Sequence, residues 1–243
     1  MRKKMGLIAD TFDLLYPRSC EVCGKNRPEA LSYLCWECHA DIMPVQPPYC
    51  SLCGDPVSGR IDYSYICHFC SSTKPDFSLA RSAVHYEGPV AEMLKALKYR
   101  GAIWLVPDLA SLLYSLVIQH LDVDKIDAIT FVPLYHSRCR EREYNQAALL
   151  ARQLARITGR PYMNRILIRH RKTPTQTNLT AAQRISNVKG SFKYRNKSWL
   201  EGRRILLVDD VMTTGATVNE CAKTLKKGGV QCVYVVAVAR GIK

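Results

Sequence analysis

The chain has 243 residues, 47% of them hydrophobic, and a formal net charge of +14. That length and apolar content exclude a coreless, disordered chain and leave room for one α/β domain plus a smaller module. The charge is unevenly placed: residues 1–77 carry eight Lys/Arg and nine Asp/Glu, whereas 136–204 carry seventeen against three. So concentrated a basic field points to polyanionic partners, pyrophosphate or nucleic acid.

The opening M-R-K-K-M-G-L-I-A-D-T-F-D-L-L has Asp10 and Asp13 inside its apolar part and no small-residue cleavage site. It does not read as a signal peptide. Leu7, Ile8, Phe12 and Leu15 share one helical face, and Tyr16-Pro17 ends that helix.

Four C-x-x-C pairs follow: Cys20/Cys23, Cys35/Cys38, Cys50/Cys53 and Cys67/Cys70. The pattern C-x-x-C-G then C-x-x-C repeats in tandem, with eleven residues between the pairs in one copy and thirteen in the other. Glycine after Cys23 and Cys53 permits a tight turn that brings backbone amides toward the sulfurs. This spacing suits metal better than disulfides, and metal-bound thiolates fit a reducing cytosol. Two structural Zn²⁺ sites are expected, each closed by four cysteine ligands with no position left for substrate. An iron–sulfur cluster, or interleaved pairing of first with third and second with fourth, are the alternatives. His39 and His68 adjoin ligands but have no required role. A module of roughly seventy residues with few aliphatics needs such staples to fold. The polar passage Ser71–Asp76 marks a boundary, giving expected units at 1–77 and 78–243.

Beyond it, Leu79 to Tyr86 predicts a strand. Gly88-Pro89 opens a helix with Val90, Met93, Leu94 and Leu97 on one face, ending near Gly101. Lys95, Lys98 and Arg100 either point at a ligand or form that helix's solvated face. The most apolar run, Ile103 to Ile118, is broken by Pro107 and Asp108, so no membrane insertion and a cytoplasmic location are expected. Ala110 to Gln119 predicts a helix and Ile126 to Val132 a strand closed by Pro133.

Residues 133–147, P-L-Y-H-S-R-C-R-E-R-E-Y-N-Q-A, predict a loop at a strand's carboxyl end, where an open parallel sheet keeps its ligand crevice. Arg138, Arg140 and Arg142 stand on alternate positions there, suited to a leaving pyrophosphate. Asn145 caps a helix from Gln146 to Ile157, with Gly159 beyond its end. After a strand near Ile166–Ile168, residues 169–180 are rich in hydroxyls and amides and predict a mobile loop. Thr180 and Gln183 have capping-box spacing for a short helix through Arg184. Tyr135, Tyr144, Phe192, Tyr194 and Trp199 are interleaved with the positive charge, positioned either to stack on bases or to fill the core.

Finally, R-I-L-L-V-D-D-V-M-T-T-G-A-T spans Arg204 to Thr217. Ile205 to Val208 predict a strand buried on both faces. Asp209 and Asp210 follow where it ends, and Thr213 to Thr217 turn the chain into a helix reaching about Lys227. Small hydroxyl residues at a helix N-terminus offer free N–H groups and Oγ atoms to a phosphate. Neighbouring carboxylates suit ribose hydroxyls or a hard cation. Cys232 to Ala239 predicts a last buried strand.

This order of parts resembles the 5-phosphoribosyl-1-pyrophosphate (PRPP) loop of type I phosphoribosyltransferases. The block H-Y-E-G-P-V-A-E-M-L-K-A-L-K-Y-R-G resembles, more narrowly, the ComF group of phosphoribosyltransferase-like proteins, associated with natural competence and use of imported DNA. ComF-like proteins carry R-x-R-x-R followed by Gly-Phe-Asn-Gln; here Glu143-Tyr144 replaces Gly-Phe, while Asn145 and Gln146 match. Residues 169–192 are similar to the P-T-Q…R segment of glutamine-PRPP amidotransferases, which closes over PRPP.

The resemblance covers nearly all of the chain. It implies a type I phosphoribosyltransferase-like open parallel sheet with helices on both faces, preceded by tandem zinc ribbons. By it, Asp209, Asp210, Val211, Met212, Thr213, Thr214, Gly215, Ala216 and Thr217 bind PRPP with Mg²⁺. Arg138, Arg140 and Arg142 serve the pyrophosphate, and Gln176, Thr177 and Arg184 the lid. Arg138, Arg140, Arg142, Arg169, Arg171 and Lys172 are candidates for single-stranded DNA. Proteins of the DNA-uptake or recombination machinery are the further implied partners. An active transferase using a nitrogen nucleophile, or a PRPP-sensing regulator, are the alternatives, since no general base stands out.

Overall fold

The computed structural model describes residues 19–25, 32–173 and 181–241. The expected helix at 7–15, and Gln176, Thr177 and Thr180, lie outside the described residues.

The centre is a four-stranded, all-parallel sheet of β1 (Leu79–His85), β2 (Ala128–Phe131), β5 (Arg204–Met212) and β6 (Cys232–Arg240), in the order β1-β6-β5-β2. A one-residue parallel bridge from Ile129 to Tyr162 extends it beyond β2. Two further strands, β3 (Leu167–Arg169) and β4 (Phe192–Tyr194), form a separate antiparallel pair. The segment predicted near Ile166–Ile168 thus joins this small hood rather than the main sheet.

Alternation along the strands divides the core in two. Leu206, Val208, Val236 and Val238 face the helices Gly88–Tyr99, Val106–His120 and Gln146–Thr158. Ile205, Leu207, Val233 and Val235 face the helix Ala216–Lys227 and the hood. Each of these β5 side chains is fully buried. Leu207→Ala is therefore a cavity mutation costing about 2–5 kcal/mol.

The ribbons enter both cores. Cys20, Leu34, Cys35 and Cys38 pack with the first set, and Cys50, Cys53, Cys67, Cys70 and Phe77 with the second. The chain between the ribbons covers the edge of β1, with Val45 N donating to Ala83 O at 3.0 Å and His85 N to Met43 O at 2.8 Å. An edge strand so covered presents no free ladder to another chain. Gly54 (φ +65°) turns against β1 so closely that an added Cβ would sit 3.1 Å from Ala80 O.

Ile103–His120 has the length and composition of a membrane span. Here Leu105, Leu109, Leu113 and Val117 are fully buried in the core, as in a sheet-covering helix.

Candidate functional site

β5 runs four residues past the expected end at Val208, so Asp209 and Asp210 lie within the strand rather than after it. Their backbones stay extended: Asp209 Oδ1 accepts from Asp210 N at 2.9 Å, and Asp210 Oδ1 from Val211 N at 2.7 Å. Gly215 (φ +79°) then turns the chain into the helix Ala216–Lys227, and Thr214 Oγ1 accepts from Ala216 N at 3.4 Å. A left-handed backbone at that position favours glycine.

A cavity of about 240 Å³ opens here. Among its lining residues are Lys98, Tyr99, Arg138, Arg142, Asn145, Gln146, Arg169, Asp209, Asp210 and Thr217, from six separate segments of the chain. Lys98 Nζ lies 2.8 Å from Asp210 Oδ2, both largely shielded from solvent. Burial opposes the lysine's charge, but Asp210 outweighs it and raises the ammonium pKa. Burial, then the charge of Asp210, pushes Asp209 up to about 8. Burial also pushes Arg169 down.

The segment 133–147 holds a helix, His136–Arg142, where a loop was expected. Helical periodicity separates what alternation along a loop would have grouped. Arg138 and Arg142, four residues apart, share the cavity face, while Arg140 is exposed on another side. Glu143 ends this helix at φ +64°, the left-handed conformation that the glycine of the ComF pattern would adopt without strain. Asn145 caps the next helix, accepting from Ala148 N at 3.3 Å while its Nδ2 donates to Val132 O at 3.0 Å. Gln146 is 1% exposed; its Oε1 accepts from Arg142 Nη1 at 3.3 Å, whereas its Nε2 has no partner.

Of the remaining candidates, Arg171 and Lys172 are exposed and do not line the cavity. Arg171 Nη2 ties the hood together through Lys189 O at 2.6 Å. Arg184 sits on the hood helix Ala181–Val188, away from the cavity lining. Of the interleaved aromatics, Phe192 is buried beneath Arg169, Tyr144 donates to Leu97 O, and Trp199 packs on Arg203. Lys98 and Tyr99 were the residues sequence reasoning left unassigned. Their signal was the K-Y-R-G end of the helix after β1, ambiguous until the helix was placed over β5.

The cysteines form two groups, Cys20/Cys23/Cys35/Cys38 and Cys50/Cys53/Cys67/Cys70, with all sulfurs of a group within 4.8 Å of one another. Pairing is sequential, which removes the interleaved alternative. The 3.6 Å separations of Cys23 from Cys35 and Cys53 from Cys67 match the roughly 3.8 Å edge of a tetrahedron with metal–sulfur bonds of about 2.3 Å. Four thiols in that arrangement fit zinc. Neither His39 nor His68 belongs to a group.

Residues 11–72 match the family model of the double zinc ribbon domain, and 145–243 that of the phosphoribosyl transferase domain. The chain is 36% identical over 225 residues to Competence protein F of Haemophilus influenzae, covering 91% of this chain and 96% of that protein. It is 29% identical to DNA utilization protein YhgH of Escherichia coli K12, over 93% of this chain and 99% of that one. Competence protein ComFC of Bacillus subtilis shares 30% identity over 81% of this chain and 79% of its own.

Proposed function

The chain belongs to the ComF family, and from that premise we propose that it binds PRPP·Mg²⁺ in the β5 cavity and acts on single-stranded DNA in natural competence. The observation that carries this reading is the convergence on one cavity of two carboxylates, three arginines, Lys98 and the unpaired Gln146 amide. Asp209 and Asp210, both in the cavity lining, would accept from a sugar diol. Thr217, the member of the Thr213–Thr217 turn that lines the cavity, and the helix start it belongs to would serve the 5-phosphate. Arg138, Arg142 and Gln146 Nε2 supply donors for pyrophosphate. Magnesium, when bound with PRPP, would be met by the carboxylates of Asp209 and Asp210 and would offset the pyrophosphate's negative charge. The acidic pair fits a cation brought by the ligand, since Asp210 already has Lys98 as partner.

The relatives' names support the competence and DNA-utilization part of the reading. The exposed Arg140, Arg171 and Lys172 lie outside the cavity lining and add positive charge to the surface, where phosphodiester would meet it. Residues 1–77 act as zinc-stapled support and 78–243 as the ligand-binding unit. Thiolate-held zinc fits the reducing cytoplasm, among proteins that take up or recombine DNA.

A second reading, phosphoribosyl transfer to a nitrogen nucleophile, has one observation in its favour. Asp209, held near 8, is suited to moving a proton near neutrality.

Calorimetry with PRPP·Mg²⁺ and single-stranded DNA, alone and together, tests the proposal. PRPP heat is expected in the wild type and absent in the double variant Asp209→Asn/Asp210→Asn. DNA affinity is expected to fall steeply with salt, and less steeply in Arg138→Ala/Arg142→Ala. A wild type that gives no PRPP heat and no rise in melting temperature defeats the PRPP half.

A further inference from the structure

The helix Gly88–Tyr99 ends by sending neighbouring side chains in two directions. Lys98 goes inward to Asp210, while Tyr99 stands at the mouth of the same cavity, 72% exposed. An aromatic ring left so open forgoes the burial that such side chains ordinarily gain. Single exposed aromatics are common and usually mean nothing, but two contacts set this one apart. The Arg142 guanidinium lies over the ring, 5.2 Å from its centroid. Arg142 is itself held by the buried Gln146 Oε1 at 3.3 Å. The ring is thus steadied through a chain of contacts reaching the helix Gln146–Thr158, and most of its surface remains free.

The surroundings identify what fits that surface. Arg138 and Arg142 line the cavity beside it, and Arg100, the residue after Tyr99, is exposed. A flat π-surface beside guanidinium groups matches an unpaired base on a phosphodiester strand, with stacking for the base and cations for the phosphates. Duplex DNA keeps its base faces stacked inside and offers no such partner.

We propose that Tyr99, backed by Arg142, is a stacking platform for one unpaired base of single-stranded DNA at the cavity mouth. The inference rests on the reading above that this basic surface meets single-stranded DNA. It adds the residue that distinguishes bases from bare backbone. A free nucleobase has the same stacking chemistry, so the test separates the two sources.

Fluorescence anisotropy on the full zinc-loaded chain would compare an oligothymidylate of about 20 nucleotides with an abasic strand of the same length. Tyr99→Ala is expected to weaken oligothymidylate binding by roughly ten- to a hundredfold while leaving the abasic strand unchanged. Tyr99→Phe should bind like the wild type, and unchanged melting temperatures confirm that both variants fold. Equal losses on both strands, or none on either, overturn the platform while leaving the DNA reading intact. Loss of free adenine or uracil binding without loss of the strand overturns it in favour of a free base. A wild type that binds neither strand overturns both the DNA reading and the platform.

Discussion

The seam between the ribbons and β1, and the cavity at the carboxyl end of β5, are built from the same kinds of residue with opposite electrostatic outcomes. At the seam, Arg240 is 3% exposed, and its guanidinium meets Asp55 Oδ1 at 2.5 Å and Cys53 O at 3.3 Å. Arg81 likewise donates to Ser51 O at 2.9 Å and Ala80 O at 2.8 Å, and lies over Tyr49. In the cavity, two adjacent aspartates face one lysine, which pairs with Asp210, and burial beside Asp210 pushes Asp209 up to about 8. The seam meets its two buried guanidinium groups with carbonyls and a carboxylate of the same chain. The cavity keeps a repulsion and an unpaired amide that a ligand would relieve, the usual opposition of stability and function.

Mutations should therefore separate the two regions by sign. The largest effect belongs to Cys53→Ser, because the second cysteine group is fully buried within the core behind β5. Structural zinc contributes about 10–16 kcal/mol of apparent folding free energy in small domains. Loss of the cooperative calorimetric transition is expected. Cys23→Ser, at the exposed corner of the first group, should leave the sheet's transition in place. Equal damage from both would erase the distinction between the ribbons.

Asp55→Ala comes next. It strands a buried guanidinium, and urea unfolding should show a loss of about 3–5 kcal/mol. A loss below 1 kcal/mol, roughly the value of a surface pair, would mean the seam is not held electrostatically.

On the cavity side the expected changes are gains. Glu143→Gly relieves a left-handed backbone and should stabilise by roughly 1 kcal/mol, read as a higher urea midpoint at unchanged slope. Asp209→Asn should do so in a pH-dependent way. The folded carboxyl is raised above its unfolded value, so the wild type holds an extra proton when folded and loses stability as pH rises toward 8. The variant's advantage in melting temperature should grow from above pH 4 to about pH 8, by roughly 5–10 °C between pH 6 and 8, and then level off. A flat difference across that range would place the Asp209 pKa elsewhere.

Much of the fold was legible because its signals are local. Pro89 opening a helix, Asn145 capping one, Gly159 ending it at φ +68°, and the four aliphatics of β5 each act within a few residues. β3 was legible near Ile166–Ile168, but β4 and its antiparallel pairing with β3 were missed because three-residue strands depend on one another rather than on their own pattern. The arginine segment was misread as a loop because its alternating charges mimic no apolar period. Its helix places Arg138 and Arg142 together and sends Arg140 away. In the hood, Arg169 reaches the cavity while Arg171 and Arg184 do not, a distinction no spacing rule encodes.

The sequence by itself determined the chemistry: eight cysteines in four pairs, two adjacent aspartates before T-T-G-A-T, and a basic middle third. Those follow from residue type and short spacing, which survive any arrangement of the rest. Only the tertiary structure decided which cysteines form each group of four, that each ribbon joins a different face of the sheet, and that Lys98 closes on Asp210. Each of these joins residues at least a dozen positions apart in the chain, and the Lys98–Asp210 pair joins residues more than a hundred apart. Their proximity is a product of sheet order and helix placement, where packing of the whole core outweighs any local preference.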